Sequence, residues 1–378
     1  MIVSGNNDIF ANNSMDMQMS NSVQYFISGI KSKATQRNYL VLLEQFRAHF
    51  KIRDYDSLLK IEPEEVKKMI EQYVIVGRNK ELCRSTINNQ VCSLSLFFDM
   101  NDVEINVKRA KKMYPTQKKK AGGKPYSTEQ LQEILKCLNS TFSLPMKSTV
   151  LIMASSGCRV GFAEYLKVKH IGEFEKNGCK SILVYGGDKE EYYSFINSET
   201  VKVIDEWIKY RKSNGEIITG ESWVIPSAKD HTKPMYERGI HGSIYEKIKH
   251  IDRGEKIGVG VGARYETSIT HGIRKRWNTI AKNTDGVNSN KVEKMYGHST
   301  THALDDTYYK PELSDLFKEY EKFSDRLVVS KEDRLELELL RKDKIIEENQ
   351  AQKDDKIKSL EDRLERFEAF MKSTVKFD

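Results

Sequence analysis

The chain has 378 residues, 38% hydrophobic and 31% charged, which is room for two globular domains and an appendage, each domain burying a core of its own. Its 62 Lys and Arg against 55 Asp and Glu leave a formal charge of +7, and the five cysteines at 83, 92, 137, 158 and 179 show no C-x-x-C spacing, so neither a disulfide framework nor a zinc site is expected and a reducing compartment is. No apolar run approaches the roughly 18 residues of a membrane span, and the Asn-, Met- and Ser-rich start has no basic region followed by an apolar one, so neither export nor membrane insertion is expected.

Residues 1–19 read as a disordered leader and residues 20–107 as a small all-helical domain. Its first helix carries Tyr39, Leu42, Leu43, Phe46 and Phe50 at helical spacing, with Thr35 placed to cap the start. Pro63 at a first helical position opens a second, with Val66, Met69, Ile70 and Tyr73 on one face, and Ser85 to Phe98 reads as a third. Between Lys108 and Lys124 there are eight basic residues and no acidic one, together with Gly122, Gly123 and nearby prolines, so residues 108–125 read as a basic linker suited to a polyanion, with nucleic acid the natural partner.

A second domain, 126–328, opens on Ser127-Thr128-Glu129-Gln130, a capping box ahead of Leu131, Ile134 and Leu138. The apolar run Thr149 to Ala154 predicts a helix ending at Gly157, with Arg159 at the turn before an amphipathic stretch from Phe162 to Val168. Two β-rich runs, Ile182 to Tyr185 and Tyr192 to Ile196, flank Gly186-Gly187-Asp188-Lys189 as a hairpin does. Helices resume at Glu199, with Gly215 past the end. Residues 214–265 read as loop-rich, and the G-x-G-x-G at Gly258, Gly260 and Gly262 has neither the spacing nor the context of a nucleotide-binding loop. Pro311 starts a further amphipathic helix through Leu313, Leu316, Phe317, Tyr320, Phe323 and Leu327, fit to pack on its own domain or on a neighbour's. Residues 329–378 read as a long solvated helix, in which Ile357, Leu360, Leu364, Phe367 and Met371 alternate by three and four as in a coiled coil, while Asp343, Gln350 and Lys353 spoil the same register upstream. The fold class is therefore mainly α with a small β-sheet: a helical domain, a mixed second domain and a C-terminal long helix.

Four short segments carry the chemistry: Gly157-Cys158-Arg159, His271-Gly272-Ile273-Arg274, Gly297-His298 and Asp306-Thr307-Tyr308-Tyr309. Two arginines can fork onto a phosphate, two histidines can steady it and move protons, and a tyrosine can attack it. His271 and Arg274, three apart on one predicted helix, project to the same side. Neither an acidic cluster nor H-E-x-x-H is present, so no metal and no cofactor are expected.

This ordered set, behind a helical domain, resembles the tyrosine recombinase (phage integrase) family over about residues 20–325, and Ser155 to Gly161 with Tyr308-Tyr309-Lys310-Pro311 looks most like integrases of archaeal mobile elements. The resemblance implies a helical core-binding domain and a catalytic domain that close on double-stranded DNA. It further implies site-specific strand exchange by a tetramer on paired sites through a 3′-phosphotyrosine, in the cytoplasm on the nucleoid, with no small-molecule substrate and no membrane. Arg159 and Arg274 would hold the scissile phosphate, His271 would bond it or take the tyrosine's proton, His298 would donate to it, and Tyr308, preferred to Tyr309, would attack it. A hairpin lysine would protonate the leaving oxygen: Lys189 in the turn, with Lys180 as the second choice. Two departures stand out. The family usually places its nucleophile nine residues after the histidine, whereas Tyr308 lies ten after His298. Many members also have a Glu three residues beyond the first arginine, where this chain has Phe162. Two other readings share these residues: a type IB topoisomerase that only relaxes supercoils, and a DNA-binding factor that keeps the fold without the reaction.

Overall fold

The structure is a computed structural model, described here for residues 20–116, 123–257, 264–298 and 310–374. The chain divides into two compact units, residues 1–120 and 121–378.

The first unit is helical. α1 (Asn21–Ser28) precedes α2 (Lys33–His49), whose start is capped by Ser32, its hydroxyl accepting the amide of Thr35 at 3.5 Å. Thr35 is thus the capped residue and not the cap: the extended backbone that a cap needs falls at Ser32, one turn earlier. After the short α3 (Tyr55–Leu59), α4 (Pro63–Asn79) begins on its proline, and α5 (Arg84–Asp99) buries Ile87, Val91, Leu94, Phe97 and Phe98. These join Phe26, Leu43, Phe46, Val66, Ile70 and Val74 in one core. The basic segment departs from a plain linker. Lys108–Lys112 forms α6, whose Ala110 is buried in that same core while Lys108, Arg109, Lys111 and Lys112 stay exposed.

The second unit starts with α7 (Thr128–Cys137), where the capping box closes both ways: the Ser127 amide donates to Gln130 Oε1 at 2.9 Å and the Gln130 amide to Ser127 Oγ at 3.1 Å. α8 (Leu144–Ser156) is buried along nearly its whole length and ends on Gly157, whose φ of 67° supplies the left-handed cap. The amphipathic stretch after Arg159 begins as a 3₁₀ turn, Val160–Glu164, with Phe162, Ala163 and, beyond it, Leu166 buried in the core of this unit.

Three antiparallel strands follow in order, β1 (Ile171–Lys176), β2 (Cys179–Val184) and β3 (Tyr192–Ile196), with Lys180 opposite Ile196 and Val184 opposite Tyr192. β1 escaped the sequence because both its faces are mostly exposed and its charged alternation looks like loop. α9 (Ser198–Ser213) packs on α8. The stretch expected to be loop contains α10 (Glu237–Ile248), built on Ile240, Ile244 and Ile248 one turn apart; its two glycines hid it. Then come the short β4 (Lys256–Ile257) and β5 (Arg264–Tyr265), α11 (His271–Lys282), α12 (Ser289–Met295), α13 (Leu313–Leu327) and α14 (Lys331–Thr374). α13 packs on its own unit, burying Leu316, Phe317, Tyr320, Phe323 and Leu327 against Trp277 and Phe195. The G-x-G-x-G lies outside the described residues.

Candidate active site

The end of α8 is held in place from several directions. The Ser155 carbonyl, at the open end of the helix, accepts from Trp277 Nε1 at 2.8 Å and from Tyr320 Oη at 3.0 Å. That of Ser156 accepts from Ser194 Oγ at 2.8 Å, and that of Gly157 from Arg274 Nη1. A helix C-terminus leaves carbonyls without partners; α11, α13 and β3 supply the donors, and so fix the turn that presents Arg159. Gly157 has no substitute here, since a Cβ on it would sit 2.6 Å from the indole of Trp277.

A second turn faces the first. After α12 the chain reverses through Tyr296, Gly297 and His298, with Gly297 at φ 63°. Both arginines hold this turn: Arg274 Nη2 donates to the Tyr296 carbonyl at 2.6 Å and Arg159 Nη1 to that of Gly297 at 3.3 Å. Arg274 is buried, its guanidinium 3.5 Å from the centre of the Tyr296 ring, which stacks in turn on Trp277 at 11° and 5.4 Å. Neither arginine is paired with a carboxylate among the described residues.

His298 is exposed, and its Nδ1 lies 2.7 Å from Glu293 Oε2. Burial pushes the Glu293 carboxyl up, but hydrogen bonds from Lys282 and His298 outweigh it and hold the group below its ordinary value. An ionised carboxylate only accepts, so Nδ1 carries the hydrogen and Nε2 is the nitrogen left to the cleft. Arg159, His298, Gly297 and Lys189 all line one open cleft of about 790 Å³, together with Glu190, Glu191, Tyr192 and Lys294. Glu191 is occupied in the hairpin turn, where it accepts the Gly187 amide at 2.7 Å.

Lys180 is elsewhere. It lines a separate depression with Ile171, Ile196 and Ile204, and lies 3.6 Å from Glu175. His271 is exposed at the first position of α11, one turn from Arg274; loss of water and then the Arg274 charge push its imidazole below the ordinary histidine value. Tyr308 and Tyr309 lie outside the described residues. Among the described residues no group of His, Cys, Asp and Glu could hold a metal ion, and no helix is long and apolar enough to cross a membrane.

Sequence reasoning missed Glu293, which bonds His298, Lys282, which pairs with Glu293, and Tyr192, on whose ring Gly297 closes. Glu293 lies five residues before His298, a spacing that aligns nothing on a helix, and only the turn at Gly297 brings the two together.

The second unit, mainly helical with a small three-stranded antiparallel sheet, has the catalytic fold of tyrosine recombinases. Residues 126–313 match the phage integrase family model. Solved structures share the fold at low identity. The Tn1549 transposon integrase in complex with circular intermediate DNA is 16% identical, with a TM-score of 0.50 over 79% of this chain and 97% of that one. The XerH site-specific recombinase bound to palindromic difH substrate, a post-cleavage complex, is 14% identical, with a TM-score of 0.50 over 76% of this chain and 94% of that one. No curated protein matches the sequence.

Proposed function

We propose that this protein is a site-specific DNA recombinase, an integrase that cleaves and rejoins double-stranded DNA through a 3′-phosphotyrosine, integrating or excising a mobile element as a tetramer on paired sites. The observation that carries the reading is electrostatic. Two guanidinium groups with no carboxylate partner among the described residues converge on the turn 296–298, and Lys189 and His298 share a cleft with one of them. Cationic side chains gathered around one turn favour an anion between them, and a phosphodiester with two non-bridging oxygens suits two forked donors. The family domain and the DNA-bound relatives support the same substrate.

In this reading Arg159 and Arg274 hold the scissile phosphate and offset the charge that grows on its oxygens. His271, kept neutral by its surroundings, takes the phenolic proton as the Tyr308 oxygen attacks phosphorus. The bond from phosphorus to the 5′-oxygen breaks, and Lys189 protonates that oxygen. His298, oriented by Glu293, bonds a phosphate oxygen through Nε2. Attack by a 5′-hydroxyl on the phosphotyrosine reverses the steps and reseals the strand. The exposed lysines and the arginine of α6 supply salt-sensitive grip on the backbone.

The test is a duplex carrying a nick beside the crossover, incubated with the purified protein and resolved under denaturing conditions. The parent protein is expected to form a covalent adduct, and Tyr308→Phe to bind DNA without forming one. Adducts that persist in Tyr308→Phe and vanish in Tyr309→Phe transfer the role to Tyr309; no adduct with any site sequence drawn from the element's ends sinks the enzymatic reading.

A further inference from the structure

α14 is a single helix of 44 residues, roughly 66 Å long at about 1.5 Å per residue. Its root is bound to the rest of its unit. The Glu199 carboxylate accepts the amides of Val329 and Ser330 at 2.8 Å each, Gln132 Nε2 donates to the Val329 carbonyl at 2.9 Å, and Lys202 reaches Asp333 at 2.8 Å and Glu336 at 3.0 Å. Beyond Glu336 the helix carries large apolar side chains that remain in water: Leu339, Ile346, Ile357, Leu360, Leu364, Phe367 and Met371 are between 47% and 63% exposed. Isolated helices draw little stability from propensity alone, and most rely on burial of an apolar face.

We propose that two copies of this chain pair through α14 as a parallel, in-register, two-stranded coiled coil that makes the protein a dimer in the absence of DNA. The apolar residues define the register. Ile357, Leu360, Leu364, Phe367 and Met371 alternate between the two inward positions of a heptad, and the same register carried upstream places Leu339 and Ile346 inward as well. The flanking positions then name the occupant and its direction. On the flank that follows each second inward residue from Leu339 to Leu360 stand Leu340, Glu347, Asp354 and Glu361; on the flank that precedes each first inward residue stand Leu335, Lys342, Asn349, Lys356, Arg363 and Phe370.

In a parallel pair each residue of the second flank meets the residue five further along on the other helix. That sets Leu335 on Leu340 of the second copy, Lys342 on its Glu347 and Lys356 on its Glu361, so one apolar and two oppositely charged contacts form, each twice by symmetry. In an antiparallel pair each flank meets itself, lysine and arginine on one side and carboxylates on the other. The helix is therefore self-complementary in one orientation only. Asp343, Gln350 and Lys353 face inward mid-helix and weaken the pairing there; polar inward residues are also the ones that penalise slipped registers.

The proposal stands whether or not the protein cleaves DNA, and its test uses the full-length protein without DNA. Sedimentation velocity is expected to show a dimer. The double substitution Leu360→Glu with Leu364→Glu is expected to raise the dimer dissociation constant by more than about 100-fold, with the thermal transition of the second unit unchanged because the root of α14 is held separately. Lys356→Glu alone is expected to weaken the dimer and Lys356→Glu with Glu361→Lys to restore it. In an otherwise unaltered chain, Met371→Cys is expected to be joined to itself across the dimer by a short bis-maleimide, above the background from the native cysteines of the parent. A protein that stays monomeric at all concentrations, or a dimer indifferent to the leucine substitutions, overturns the proposal; a dimer whose Met371→Cys variant does not cross-link to itself overturns the parallel arrangement.

Discussion

Gly297→Ala places a single methyl group where the site is least able to receive it. The Cβ would lie 2.3 Å from Tyr192 Cε1 and 2.6 Å from two further ring atoms, about 1 Å inside ordinary contact. Tyr192 packs edge-on against Tyr185, its phenol desolvated enough to raise its pKa well above the ordinary value, so the ring can yield to the methyl group only by moving toward the cleft and giving up that packing. The left-handed backbone at φ 63° adds its own penalty for any residue with a side chain. Strain of about 1–2 kcal/mol and overpacking of about 1–3 kcal/mol give a total of about 2–5 kcal/mol. A typical domain survives such a loss, but the turn relieves it by shifting, and a shift of about 1 Å carries His298 and the carbonyls held by Arg159 and Arg274 out of register, which is expected to cost about 10²-fold in cleavage. Adduct formation on the nicked duplex, read beside thermal melting and DNA affinity, separates the effects. Gly187→Ala is the control, because Gly187 also has positive φ, 84°, with nothing within 4 Å of the added carbon, so only the backbone penalty applies. Cleavage by Gly297→Ala within threefold of the parent, at matched folded fraction, refutes the reasoning.

Glu293→Gln keeps the shape beside His298 but removes the charge that both His298 and Lys282 meet, and is expected to slow cleavage about 10-fold with DNA affinity unchanged; single-turnover adduct rates decide, and an unaltered rate shows that Glu293 orients nothing of consequence. The His271 imidazole titrates below its ordinary value of 6.5, so its neutral form persists as pH falls to that value: any stability this group contributes is complete above about 6.5 and lost as pH falls through the depressed folded value. The acid limb of the cleavage profile is accordingly expected below pH 6.5 and absent in the residual activity of His271→Asn; a limb centred above pH 7 contradicts this. Glu199→Ala strips two amides of a buried acceptor, and after the cost of burying the carboxylate is returned the loss is expected to be about 2–4 kcal/mol. Hydrogen exchange at Val329 and Ser330 is the direct measure, and unchanged protection there contradicts the anchoring.

The sequence alone determined the helices with one clean apolar stripe or an explicit cap, such as α4 behind Pro63 and α7 behind its capping box, because those signals act within a few residues. It also determined which residue types could handle a phosphate, since guanidinium, imidazole and phenol each do this by their own chemistry. It gave no sight of β1, whose exposed faces leave no pattern, nor of α10, whose glycines broke one. Where the residues stand relative to one another was settled only by tertiary structure. Arg159 and Arg274 meet because Trp277, Tyr320 and Ser194 tie the end of α8 to three other elements, and His298 finds Glu293 because Gly297 can turn left. Lys189 and Lys180 look alike in the chain, yet one lines the cleft of Arg159 and the other a different face of the sheet. Contacts between residues more than a hundred positions apart depend on packing of whole elements, and no local spacing encodes that.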